Sequence, residues 1–135
     1  MTGATENGPT ETGQPRKVVQ RGLWFEEFEV DVVYLHRPGR TMTEADNVLF
    51  STLTMNPQSL HLDAAWSAGQ PGFGGERLMN SLHTLATLVG LSVSHISRGT
   101  TVANLGFTEV SFPKPMFHGD TLYAETRCVT KRESR

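Results

Sequence analysis

The segment from Leu78 to Val93 constrains the fold more than any other part of the chain. Leu78, Met79, Leu82, Leu85, Ala86, Leu88, Val89, Leu91 and Val93 would cover nearly every side of a helix with apolar groups. A surface helix keeps one polar face, so this pattern predicts a helix that is buried by the rest of the fold. Asn80 or Ser81 supplies its N-cap. Gly90 weakens its middle, and Gly99 lies beyond its end.

On either side of this helix the period differs. After Gly99 it moves towards two, and 100–107, 108–112 and 121–129 read as strands punctuated by Pro113, Pro115 and Gly119-Asp120. Upstream, Val30, Val32, Val33, Tyr34 and Leu35 form an extended segment, and His36-Arg37-Pro38-Gly39-Arg40 reads as a turn. Thr43 followed three residues later by Asp46 has capping-box spacing, and Val48, Leu49, Phe50 and Leu53 continue it as a short helix. Pro57 disfavours helix at Asn56 and should stop it. A strand, two helical segments and several later strands point to an α+β fold, an antiparallel sheet around one central buried helix.

The 135 residues make one small domain, with 37% hydrophobic residues for its core. Residues 1–20 hold little that is apolar and read as a flexible tail, leaving 21–135 as the domain. A net charge of -2 argues against a nucleic-acid partner. No apolar run is long enough to span a membrane and no leader pattern opens the chain, so a cytoplasmic protein with no membrane partner is expected. Cys128 is the sole cysteine, which excludes an internal disulfide and a thiolate metal site. His83 and His95 share the apolar helix at a spacing that does not suit metal ligation, so no metal is expected. Gly69-Gln70-Pro71-Gly72-Phe73-Gly74-Gly75 lacks the ending of a phosphate loop and reads as a mobile segment over a site entrance.

From Thr43 to Asp63 the chain reads TEADNVLFSTLTMNPQSLHLD. This resembles the MaoC-like (R)-specific enoyl-CoA hydratase signature, a Thr-Glu-Ala-Asp helix start leading to an Asp-x-Asn-Pro-x-His-x-Asp loop. The stretches His36–Thr41, Leu53–Asn56, Gly99–Phe107, Phe112–Pro115 and His118–Thr121 are similar to the subgroup acting on mesaconyl-CoA-like and itaconyl-CoA-like substrates. The resemblance implies a hot-dog fold and a hydratase or dehydratase that adds water across the double bond of an enoyl thioester. Coenzyme A would enter as part of the substrate, with no separate cofactor. A homodimer or higher even oligomer is expected, because a small core and an exposed sheet edge call for pairing across a two-fold axis. Relatives continue past Lys131–Arg135 for further strands, so the domain is expected to lack the last part of its sheet.

Carried over residue by residue, His61 matches the family histidine, whose pKa near working pH suits acid–base work. The family aspartate falls at Asn56, whose amide can orient a water molecule but cannot take its proton. Asn56 before Pro57 is equally a turn former. Asp63 and Asp46 are candidate supporting acids, and each equally suits a helix end. Ser81, by its main-chain N–H, and Asn80 match the helix start that receives the thioester oxygen in the family, and both also fit as caps. Arg37, Arg40 and Lys114 are candidates for a substrate carboxylate or for coenzyme A phosphates, with solvated surface charge as the simpler role. His118-Gly119-Asp120 reads as a tight turn. Two other functions stay open: a hot-dog thioesterase and a non-catalytic acyl-CoA-binding subunit.

Overall fold

Two strands and four helices surround the site in a computed structural model that describes residues 14–133. Strand β1 (Val33–Thr41) pairs antiparallel with β2 (Thr121–Arg127), from Val33 opposite Arg127 to Thr41 opposite Thr121. Between them in sequence come α1 (Glu44–Leu53), α2 (Ser59–Leu62), α3 (Ala64–Ala68) and α4 (Ser81–Ile96). Of the expected tail, 1–13 lie outside the described residues, and 14–20 are exposed and carry no secondary structure. Gly22 and Leu23 then close onto the end of α4, their N–H groups donating to Arg98 O at 2.8 Å and Ile96 O at 3.3 Å.

The turn expected at His36–Arg40 is a bulge inside β1. His36 faces Ala124 and Arg40 faces Leu122, so Arg37, Pro38 and Gly39 stand opposite Tyr123 alone. The Arg37 guanidinium lies 4.9 Å from the centre of the Tyr123 ring. A Cβ on Gly39 would meet Leu122 O at 2.5 Å and the Tyr123 ring at 2.7 Å, so glycine is required by close approach, not by a reversal of the chain.

Helix α4 starts on the expected cap Asn80 and ends at the C-cap Ser97, short of Gly99. One side lies against the sheet, where His95 meets the Tyr34 and His36 rings edge-on at 5.7 and 5.4 Å. The other side is open. Leu82, Ala86, Val89 and Val93 recur at helical spacing and all are exposed, Leu82 by 60%. The enclosure expected on every side is therefore not complete within the described residues. The reason is geometric: two strands about 4.8 Å apart cannot wrap a helix about 10 Å across.

The strands expected at 100–107 and 108–112 do not form. Gly106 N–H turns back onto the Asn104 side chain at 2.9 Å, and no ladder partner lies beside this stretch. Val102, Leu105, Phe107, Val110 and Phe112 are consequently exposed. Met42, Met79 and Ala124 are the buried apolar residues among those described. Alongside them are buried polar groups: His36, Asn47, Ser51, Ser67 and Asn80. No helix among the described residues is long and apolar enough to cross a membrane.

Candidate active site

Helix α1 begins on the predicted capping box. Thr43 Oγ1 accepts from Asp46 N–H at 3.2 Å, while the Asp46 carboxylate accepts from the Thr43 N–H at 2.9 Å and hydroxyl at 2.7 Å. Arg40 donates to the other Asp46 oxygen at 2.6 Å. Burial pulls the Asp46 carboxyl upward, but these bonds and the Arg40 charge outweigh it and leave it below the usual carboxylate range. All of Asp46's described bonds thus serve its helix end and Arg40.

The helix then turns an unexpected face inward. Asn47 and Ser51, four residues apart, are fully buried, whereas Leu49 and Leu53 point outward. Asn47 Oδ1 accepts the Asn80 N–H at 2.9 Å. Its Nδ2 lies 3.0 Å from Leu78 O, 3.2 Å from His61 O and 3.1 Å from His118 Nε2. Neither Asn47 nor His118 stands out in sequence as a site residue. The signal that could have found Asn47 is its i, i+4 pairing with Ser51, a polar stripe among Val48, Leu49, Phe50 and Leu53.

His61 sits in the one-turn helix α2 instead of the expected loop. Asn56 Oδ1 accepts the Gln58 N–H at 3.1 Å across Pro57 and sets up the turn into this helix. The Asn56 carboxamide is thereby a turn former, and it makes no hydrogen bond to His61. Asp63 ends α2 and caps α3, its Oδ1 accepting the Trp66 N–H at 2.8 Å. Neither carboxylate matched to the motif is therefore bonded to His61.

His61 is half-buried, and its Nδ1 lies 2.8 Å from Leu78 O. A carbonyl only accepts, so Nδ1 carries a proton, and in the neutral ring the lone pair is on Nε2. Leu78 opens the short connection to α4. Three residues on, the Ser81 N–H has no hydrogen-bond partner among the described residues, while the Leu82 N–H is capped by Asn80 Oδ1 at 3.1 Å. Asn80 itself is buried, and its Nδ2 reaches Ser51 Oγ at 3.4 Å. Leu78 and Ser81 both line a cleft of about 320 Å³, together with Thr84, Phe112, Lys114 and Met116. Imidazole anchor and free helix N–H are thus at most about 10 Å apart along the chain.

The three candidate cations separate. Lys114 lines this cleft. Arg40 is paired with Asp46. Arg37 donates to His36 O at 2.9 Å and lines a different hollow of about 620 Å³, between Val18–Leu23 and the far end of α4. The Gly69–Gly75 stretch is a series of turns, with Gly72, Gly74 and Gly75 at positive φ, and Phe73 reaches the cleft. Among the described residues no group of three or more His, Cys, Asp or Glu could hold a metal ion.

His36, His83 and His118 are all held below the usual histidine value of 6.5, in each case chiefly by burial. A depressed folded pKa means that the unfolded chain binds protons first. Stability from these groups is complete above pH 6.5 and is lost as the pH falls through 6.5 towards their folded values. The melting temperature should be nearly level from pH 7.5 to about 6.5 and fall from there to pH 5.5, and a flat profile down to pH 5.5 by scanning fluorimetry would contradict this.

The chain is 32% identical over 108 residues to Protein MaoC of Klebsiella aerogenes, covering 80% of this chain and 31% of that one. It is 30% identical over 115 residues to mesaconyl-CoA hydratase of Cereibacter sphaeroides, covering 84% and 32%. With beta-methylmalyl-CoA dehydratase of Chloroflexus aurantiacus it shares 28% over 115 residues, covering 84% and 32%. The chain thus spans about a third of the length of these relatives. Among solved structures, the monoamine oxidase regulatory protein of Archaeoglobus fulgius superposes with a TM-score of 0.67 at 25% identity, covering 80% of this chain and 72% of that one. The unliganded R-hydratase of Pseudomonas aeruginosa superposes with a TM-score of 0.63 at 23% identity, covering 78% and 64%. These likenesses establish the α+β hot-dog fold. Residues 27–135 match the family profile described as MaoC like domain, and the chain belongs to that family.

Proposed function

We propose that this chain is the MaoC-like domain of a hydratase or dehydratase acting on an enoyl-CoA thioester. The observation that carries the reading is the bond of His61 Nδ1 to Leu78 O, which in the neutral imidazole leaves the lone pair on Nε2. A water molecule delivered to Nε2 gives up one proton there, and its hydroxyl adds to the β-carbon. Electron density moves onto the thioester oxygen, where the unpaired Ser81 N–H at the positive end of α4 receives it. His61 then returns the proton to the α-carbon, so that the elements of one water are added. The reverse sequence is dehydration.

Relatives named for mesaconyl-CoA and beta-methylmalyl-CoA, with Lys114 in the cleft, support a branched dicarboxylic acyl group. Coenzyme A is read as part of the substrate, with no other cofactor. The protein is read as cytoplasmic, without nucleic-acid or membrane partners. A panel of enoyl-CoAs given to the 135-residue chain tests the reading. Loss of enoyl absorbance, fastest with dicarboxylic members, is expected. Release of free thiol would instead indicate a thioesterase.

The Asn56 amide, occupied in its turn, favours binding without turnover as the second reading. Asn56→Asp separates the two. A carboxylate at this position keeps the acceptor for Gln58 N–H and adds a proton acceptor, so hydration should rise or stay level. A large loss would mean that the amide is itself required.

A homodimer or higher even oligomer is also proposed, because three buried apolar residues are too small a core for an independent domain while the α4 stripe lies open. Sedimentation at micromolar concentration should show it, and a stable folded monomer would contradict it.

A further inference from the structure

We propose that Asn47 is a positioning residue that locks His61 and the start of α4 into one arrangement. This rests on the roles of His61 and Ser81 just given. The Asn80 N–H can only donate, so the Asn47 atom that meets it at 2.9 Å is the carbonyl oxygen, and the other end of the amide is the NH₂. That NH₂ has two hydrogens shared among three acceptors: Leu78 O, His61 O and His118 Nε2. Leu78 O is also the acceptor of the His61 ring proton. Asn47 therefore grips His61 twice, through its own carbonyl and through the carbonyl that sets its tautomer. With its other end it holds the residue before Ser81.

Such a tether is needed. Helix α2 has four residues, too few to hold a side-chain direction by its own backbone bonds. Helix α1, with ten residues and a capping box, is the more rigid support. Asn47 is fully buried, so water does not compete for these bonds. The arrangement also sets the state of His118. A protonated Nε2 would set N–H against N–H, so His118 presents its lone pair to Asn47. The charged groups acting on His118 are Arg77, Glu44 and Glu76.

Imidazole nitrogen NMR on the 135-residue chain, paired with hydration kinetics, tests the proposal. In the wild type His61 should carry its proton on Nδ1, and His118 should be bare at Nε2 at neutral pH. A proton on His118 Nε2, or on His61 Nε2 alone, would overturn the tether without any variant. Asn47→Asp keeps the shape and the acceptor for Asn80 N–H, and replaces the donor with an oxygen. It should raise the His118 midpoint by about one unit or more. It should also let the His61 tautomers mix and lower kcat about 100-fold, with KM changed less than about threefold. A folded Asn47→Asp protein with wild-type His61 and His118 signals and unchanged kcat would overturn the proposal. Wild-type chain that shows the expected ring states but hydrates no enoyl-CoA would sink the hydratase reading while supporting the tether.

Discussion

Replacing His61 by alanine should remove hydration of enoyl-CoA while leaving the fold in place. A general acid–base group is worth about 100- to 10,000-fold in rate. The loss should lie towards the upper end, because among the described residues no carboxylate is hydrogen-bonded to His61 to share the work. Asn56 cannot take a proton, and Asp46 and Asp63 are occupied with helix ends. The structural cost should be modest. The variant loses one bond to Leu78 O, worth about 1 kcal/mol, and that oxygen keeps the Asn47 amide as a donor. Melting temperature measured beside the rate separates the two effects. A folded His61→Ala protein with near-normal turnover would move the chemistry to Asp46 and Asp63.

Ser81→Pro should cost about 100- to 1,000-fold in kcat, the usual consequence of losing one oxyanion donor. Proline removes the N–H together with the serine hydroxyl. Ser81 is the first residue of α4, the helical position where proline is best tolerated. Asn80 already holds φ -61 and ψ 119, a conformation that accepts a following proline. No described hydrogen bond of the Ser81 N–H is lost, so the helix should keep its stability. Ser81→Ala, which keeps the N–H, should retain most of the rate. Equal losses in both variants would mean that the hydroxyl, not the main chain, meets the substrate.

The parts of the fold that were legible in the sequence are those set by local bonds. Thr43 and Asp46 satisfy each other across one turn, and Asn80 caps α4, so both helix starts could be placed from residue type and spacing. The bulge at Arg37–Gly39 was not legible, because proline and glycine mark a turn and a close-packed bulge alike. Only Tyr123 and Leu122, more than eighty residues away, decide between them. The strands expected between Thr100 and Phe112 failed for a related reason: alternation prepares a strand, but a ladder needs a neighbour. Within the site, His61 and the Asn80-Ser81 pair were named by resemblance, and the structure links His61 to Asn80 through the Asn47 side chain. Asn47 was missed because Val48, Leu49, Phe50 and Leu53 marked α1 only as a helix, and which of its faces is buried depends on partners distant in sequence. His118 was read only as part of a turn, and its long-range bond to Asn47 had no local signature.

The central claim is that His61 drives addition of water to an enoyl thioester. Mass spectrometry of the product made by the wild-type chain from a dicarboxylic enoyl-CoA tests it most directly. A thioester heavier by one water molecule is expected from the wild type and should be absent with folded His61→Ala. Free coenzyme A in place of that adduct, or an equal yield of adduct from the His61→Ala protein, would contradict it.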